Sequence, residues 1–564
     1  MYNHAIMNKR KYNSMKYRKT ALGLLLALCL TLSACGHRAK PVEAADTVAE
    51  GLQTALDTTH FLRIVDENPD TVDPQCTSGY YNVALNVFDR LVEVQVDADG
   101  VSTIAPSLAE AWRISDDGLT YTFTLRKGVS FSNGSALTSS DVGYTLRRLL
   151  THPDSRNGDI ASQILGASAL QSGETDVLEG FRIISDTEFS VTLSEPYAAF
   201  LACLSTPGAS ILDAETTEAA GERFGREADA TVGTGPFIFH EWQKGERMLL
   251  VANGDCWCGA PRCPGIEILN VSDTEACRLM FEEGSLDLLD LESLGDDAEY
   301  FIHGDIYQPL LQQGPRVGIT YVALNAAIEP LGDVRVRRAM QLALDRDSIM
   351  HVTCSGRGTV ENGILPRGLI GHNPDLAVIP FDLYEAKQLL DEAGYADGFE
   401  LPMVMPDTST QSMRDLMNLL IFMWRRVGIY ARVAYVSEEQ FIEQRTAGEI
   451  ACYAATWSAD FNDPDNFMTT FFGSGANTRR RSLCYGNEAM MARVASARSI
   501  VNEAERLSEY QALEEAIIQK DAAWIPLYSR QHYFAVSKRV DGFRVAWNGW
   551  SSNRYSDVTV LDAE

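Results

Sequence analysis

Apolar and polar residues alternate over 119–125, where Leu119, Tyr121, Phe123 and Leu125 are interleaved with Thr120, Thr122 and Thr124. A period of two predicts a strand with one dry face and one wet face. Asp116-Asp117-Gly118 makes a hairpin turn before it, and Ser132-Asn133-Gly134 a second turn after it. Thr138 and Asp141 then stand at capping-box spacing, ahead of a predicted helix over 142–150. The same alternation predicts a strand over 61–65 and a second hairpin over 181–193 around Ser185-Asp186-Thr187.

Further along, helical periodicity covers 274–284, 334–350, 410–427 and 503–523. Asp333 caps the second of these, and Gly428 ends the third before a strand over 429–436. Asp382 and Glu385 make another capping box, opening a helix that Gly394 ends. Short apolar runs at 286–289, 318–325 and 524–528 predict buried strands. Strand, helix and strand in succession give an α/β lobe with a crossover connection. Arg335, Arg337 and Arg338 read as a solvated helix face.

The N-terminus changes the picture. Lys9, Arg10, Lys11, Lys16, Arg18 and Lys19 precede an uncharged apolar run over 21–32, and Leu32-Ser33-Ala34-Cys35 follows. That order is a secretory signal. The run has about 12 residues, against roughly 20 for a spanning helix, so a permanent transmembrane helix is not expected. Leu-Ser-Ala-Cys looks like a lipobox, which implies cleavage before Cys35 and a diacylglyceryl thioether there; the alternative is an ordinary signal with a chance cysteine. Residues 36 to 58, rich in Ala, Glu, Asp and Thr, read as a flexible tether.

Charge and cysteine count narrow the chemistry. The formal charge is −29, and removing residues 1–34, with six basic and no acidic residues, takes it to −35. Nucleic acid is therefore not an expected partner, because phosphate binding wants a basic surface. Roughly 530 residues at 45% apolar are enough for two or more domains. Beyond Cys29 and Cys35, nine cysteines remain, an odd number that cannot all pair within one chain. Cys256, Cys258, Cys263 and Cys277 cluster, but at a spacing that matches no standard zinc pattern, so a disulfide or buried thiols are expected and no metal or cofactor. No H-E-x-x-H or G-x-S-x-G occurs, and nine scattered histidines give no catalytic constellation. Gly233-Thr234-Gly235 completes no phosphate-binding motif, and a proline follows.

The segment 107–150 closely resembles the signature of the family 5 extracellular solute-binding proteins, the peptide and nickel receptors of bacterial ABC importers. Collinear blocks continue the resemblance over about 60 to 545: the turn and helix entry at 71–80, Gly233-Thr234-Gly235-Pro236, Asn325, Asp333-Val334-Arg335, the block 456–467 and Trp524-Ile525-Pro526. Gly254 and Cys256 depart from the family's proline and aromatic. The resemblance implies an α/β fold of the periplasmic-binding-protein type II class, with two lobes closing on a hinge and an extra domain of the cluster C kind. The expected division is a leader over 1–34 and a tether over 35–58, then one lobe from 59–92, 233–315 and 523–564. The extra domain spans 93–232 and the second lobe 316–522.

It further implies a non-enzymatic, monomeric lipoprotein outside the membrane, held there by its lipid. Its expected partners are an oligopeptide ligand and an ABC permease with its ATPase. By resemblance, Asp460 holds the ligand's α-ammonium, Thr456, Trp457 and Ser458 line one side, and Thr77, Ser78 and Gly79 line the other. Trp457 has a second reading as core. The arginine that dipeptide-binding members use for the ligand carboxylate is missing: Pro406-Asp407-Thr408 stands there, and Arg414 lies inside the following helix. Arg479, Arg480 and Arg481 read as a basic surface loop or as a contact for a longer peptide. Nickel chelates, glutathione-like compounds and oligosaccharides are alternative ligands of the same fold. A secreted metal-dependent hydrolase and a permease-independent adhesin or signalling receptor are the other classes considered.

Overall fold

The structure, a computed structural model, describes residues 56–66, 69–77, 79, 81–97, 101–548 and 553–562. The leader, Cys35, the tether up to residue 55 and Ser78 lie outside the described residues.

Trp524–Val536, a 13-residue strand rich in aromatic and branched residues, runs through the middle of one large sheet. Its first half pairs with Gly318–Leu324, placing Ala323 opposite Trp524 and Thr320 opposite Tyr528. Its second half pairs with Leu288–Asp290, placing Asp290 opposite Phe534 and Leu288 opposite Val536. Pro526 has no N–H to give to a central ladder, and the register shifts at that point. The sequence predicts only the first five residues of this strand, because Ser529, Arg530, Gln531 and His532 interrupt its apolar run.

Outward from Gly318–Leu324 lie Cys452–Ser458, Phe399–Pro406 and Ile429–Val436. The last two are parallel and joined by the helix Gln411–Arg425, as the crossover pattern predicts. That helix buries Leu416, Leu420, Met423 and Trp424, and the Trp424 indole donates to the Met340 carbonyl at 3.0 Å. Outward from Leu288–Asp290 lie Leu62–Asp66, parallel to it, and Gly265–Asn270, parallel to Leu62–Asp66, then Arg247–Ala252 and Phe237–Gln243, each antiparallel to the strand before it.

The signature segment contributes Ala109–Ile114 and Thr120–Leu125 to a separate antiparallel sheet that the second hairpin completes with Glu188–Thr192 and Phe181–Ser185. The helix Ser139–Thr151 is packed through Val142, Leu146 and Leu149 into the core that this sheet shares, and the Thr138 backbone donates to the Asp141 carboxylate at 2.8 Å, as the capping box predicts.

Two expectations change. The helix over 334–350 is two helices, Val334–Leu342 and Arg346–Thr353, because Asp345 caps the second by accepting from the Ser348 N–H at 3.1 Å. Arg337 is not solvated: it is buried, and its guanidinium donates to the carbonyls of Leu331 at 2.8 Å and Asp521 at 2.6 Å. Carbonyls left over at chain turns satisfy a buried cation as carboxylates would. Of the clustered cysteines, Cys256 and Cys258 form a disulfide, while Cys263 and Cys277 are buried single thiols.

Gly233 and Gly235 have a packing reason. A Cβ on Gly233 would stand 2.1 Å from the Val87 carbonyl oxygen, and the Gly235 N–H donates to that same oxygen at 2.9 Å. Thr234 between them donates to the buried Asp89 carboxylate at 2.9 Å. Gly233→Ala must therefore push two backbones apart, at a cost of about 1–3 kcal/mol. Urea unfolding should show that loss, with an unchanged midpoint contradicting it.

Candidate functional site

A cavity of about 880 Å3 is lined by Tyr81, Arg90, Asp159, Asp460, His532 and Arg544 among others. One wall is the run Ser458–Phe461, which follows the strand Cys452–Ser458. That strand is antiparallel to Gly318–Leu324, and the Ala459 N–H continues the ladder by donating to the Val317 carbonyl at 2.8 Å. Bonded and non-bonded pairs alternate in such a ladder, so residues 455, 457 and 459 bond inward. The main-chain groups of Thr456 and Ser458 point to the other edge. There Phe399–Pro406 pairs only at Met403 with Cys452, so among the described residues no strand covers that edge beyond it.

Asn466 organises this wall. Its side-chain oxygen accepts from the Trp457 indole at 3.1 Å and from the Asp460 N–H at 3.2 Å, while its amide donates to the Asp460 carboxylate at 3.0 Å. Trp457 is half-buried, edge-to-face with Phe471 at 5.6 Å, and the Arg481 guanidinium lies 4.4 Å from its ring centre. Thr456 shares a hydroxyl bond with Thr320 at 2.9 Å. Asp460 faces the cavity, with its surface open to water although protein surrounds it on most sides. Desolvation pushes its carboxyl above the usual range, the Asn466 bond pulls it down, Asp159 pushes it up and Arg481 pulls it down.

The other predicted bank is arranged differently. Thr77 is buried, its carbonyl accepting from the Asn157 amide at 3.1 Å, and it lines a separate hollow beside Arg148 and Asp73. Gly79 lines a third hollow of about 770 Å3, at the carboxyl ends of the parallel strands ending at Asp66, Asn270 and Asp290. Tyr81 is the residue of this segment that shares the cavity of Asp460. Burial pushes its phenol up to about 12, against an Asn157 hydrogen bond that lowers it, and the Asp460 and Asp159 charges add to the rise. Sequence reasoning gave no role to Asn466, Tyr81 or Asn157; only the position of Asn466 inside the block 456–467 pointed that way.

The arginines separate as well. Arg414 spends its guanidinium on main-chain carbonyls, reaching Ser409 at 3.1 Å, and lies 4.6 Å from the Tyr435 ring centre. Arg479 and Arg480 are exposed, whereas Arg481 is half-buried on Trp457. Among the described residues no three His, Cys, Asp or Glu side chains are grouped to hold a metal, and no helix is long and apolar enough to cross a membrane.

The sequence model described as bacterial extracellular solute-binding proteins, family 5 middle, matches residues 103–479. Heme-binding protein A of Haemophilus influenzae is 29% identical over 479 residues, covering 83% of this chain and 86% of that protein. The dipeptide-binding protein of Escherichia coli is 27% identical, covering 73% and 78%. The structure of HbpA2 from Haemophilus parasuis superposes with a TM-score of 0.76 at 26% identity, covering 89% of this chain and 99% of that one.

The hydrogen bond from Asn466 favours the charged form of Asp460. Asn466→Ala should therefore raise the Asp460 pKa further. Carboxyl 13C titration by NMR measures this, and a fall or no change would contradict the arrangement.

Proposed function

The chain belongs to the family 5 bacterial extracellular solute-binding proteins, and on that premise we propose that it is the lipid-anchored receptor of an ABC importer. It captures peptides outside the membrane, as a monomer tethered through Cys35, and passes them to the permease. In this reading 59–92, 233–315 and 523–564 form one lobe, 316–522 the other, and 93–232 the extra domain. Closure between the lobes is driven by the higher affinity of the closed state for ligand.

The observation that carries the peptide reading is the pairing of an open strand edge with a pinned carboxylate. Thr456 and Ser458 turn main-chain groups outward, and Asp460 follows at the end of the same strand. A peptide laid along that edge gains main-chain hydrogen bonds that ignore its side chains, while its α-ammonium meets Asp460. Trp457, held by Asn466, sets the height of the edge. Thr77, Ser78 and Gly79 would meet the ligand only after closure, with Tyr81 the nearer contact from that segment.

Haem, the cargo named for one relative, finds less to hold it. His532 is 1% exposed and its ring nitrogens sit 2.9 Å from Asp290 and 3.5 Å from Glu292. Cys203 is buried and its thiol pushed well up by burial, and Tyr81 is a phenol rather than a phenolate at neutral pH. These cavity residues offer an iron no ready axial donor.

Calorimetry with free-amino and N-acetylated peptides tests the reading. Asp460→Asn should weaken free-amino peptides on the order of 10²–10³-fold, and N-acetylation should weaken binding to the wild type comparably. Only the ionised carboxylate pairs with an ammonium, and the folded pKa of Asp460 is raised. Affinity should therefore fall as pH drops through that raised value, earlier than an ordinary aspartate would allow. Equal binding of acetylated and free peptides would sink the assignment of Asp460.

A further inference from the structure

The segment that carries Asp460 is held from more than one side. Three polar residues around the start of the helix Asp465–Phe472 reach three different elements. Asn466 holds Asp460 and Trp457, as described above. Asp463 pairs at 2.7 Å with the buried Arg506, on the helix Glu503–Glu515. Asp465, also buried, accepts at 3.1 Å from the hydroxyl of Tyr197, 268 residues away, whose ring lies in the core of the signature sheet.

Tyr197 is fixed on its own side. Its carbonyl accepts from the Tyr121 hydroxyl at 3.0 Å, on the strand Thr120–Leu125. It leads into the short helix Phe200–Leu204, whose Cys203 lines the Asp460 cavity. A seam runs outward from the Tyr197–Asp465 bond. The Ala198 N–H donates to the Arg498 carbonyl at 3.0 Å, and the Arg498 guanidinium, 3.1 Å from Asp465, lies 4.7 Å from the Tyr197 ring centre. Ser102 donates to the Gly368 carbonyl at 2.8 Å, and Val501 packs on Gly118 so closely that a Cβ on Gly118 would stand 2.6 Å from its Cγ2.

The Asp460 cavity opens between the same two parts. Asp159, Ile160, Cys203 and Pro207 line one bank, and Ser458–Phe461 the other, so the seam sets the spacing of the banks. Tyr197 stands outside that cavity, lining a smaller adjoining hollow with Asp465 and Asn466. Resting on the peptide reading above, we propose that Tyr197 is a positioning residue for ligand capture: its bond to Asp465 clasps the signature sheet onto 458–466 and holds Asp460 at the spacing the ligand needs. When the clasp opens, Asp465 keeps Arg498, Thr469 and Tyr510, so the segment loses its fixed spacing and not its fold. One hydroxyl–carboxylate bond biases such an equilibrium several-fold and still lets it open, as a cleft that admits and releases cargo requires. Apparent affinity then follows the clasped fraction.

Tyr197→Phe removes only the hydroxyl. Tyr510→Phe is its control, because it removes a donor 3.2 Å from the same carboxylate without crossing the seam. In the mature protein, free-amino alanine peptides of two to six residues are titrated by calorimetry and stopped flow, and amide hydrogen exchange is followed without ligand by mass spectrometry. Tyr197→Phe should weaken the best peptide about 3–10-fold, chiefly through a faster off-rate, and should speed exchange over 458–466 by a similar factor. Tyr510→Phe should lower the urea midpoint and leave peptide affinity unchanged. If either the affinity or the exchange over 458–466 keeps its wild-type value in Tyr197→Phe, the bond is packing alone and the proposal is overturned, while peptide capture stands. Equal losses of affinity in the two variants overturn it as well, since the seam then has no special part. If the wild type binds none of the peptides, the peptide reading falls and exchange alone decides the clasp: faster exchange over 458–466 in Tyr197→Phe upholds it, and no change overturns it.

Discussion

The structure depends on one strand that joins the two halves of the large sheet. Trp524–Val536 gives its first residues to Gly318–Leu324 and its last to Leu288–Asp290, so neither half of the large sheet can turn without bending it. Its apolar start is anchored by Trp524, packed 4.2 Å from the Tyr321 ring and 4.7 Å from Phe471. Its middle is polar, and there His532 reaches the cavity wall and meets Asp290 at 2.9 Å. The polar middle of this strand therefore reaches the cavity where the two halves of the sheet meet.

The cavity wall around Asp460 is braced by the same sheet. Phe471 touches Trp457 and Trp524, so the aromatic cluster under the central strand also supports the residue beside Asp460. Asn466 converts that support into a fixed position for the carboxylate, using each of its polar atoms. On the proposed peptide reading, such an arrangement has the ordering cost of the site met in folding rather than in binding. Its charge is met in two ways. Asp460 stays open to water and to an incoming cation, whereas Asp89 is buried under three donors and is structural.

Much of the fold was legible because periodicity is a local property. The hairpin and helix of the signature segment, its capping box, and the crossover between Phe399–Pro406 and Ile429–Val436 follow from spacing alone. What was not legible depended on partners distant in the chain. Arg337 looks like a solvated cation until Asp521 supplies a carbonyl 184 residues away. The polar residues 529–532 look like a strand end until the short strands Gly358–Val360 and Leu311–Pro315 pair with them. In the site, resemblance pointed to the block around Asp460, but nothing in the sequence shows that Asn466 folds back onto it. Nor does it show that Thr77 and Gly79 line hollows apart from Asp460, leaving Tyr81 in its cavity.

Native mass spectrometry of the domain from residue 36 onward, purified without denaturation, tests the central claim most directly. A mixture of co-purified peptides on the wild type, absent from Asp460→Ala at equal folded yield, is the result this account predicts. A wild type carrying haem, a metal chelate or a sugar, and taking up no peptide when peptides are added, would contradict it.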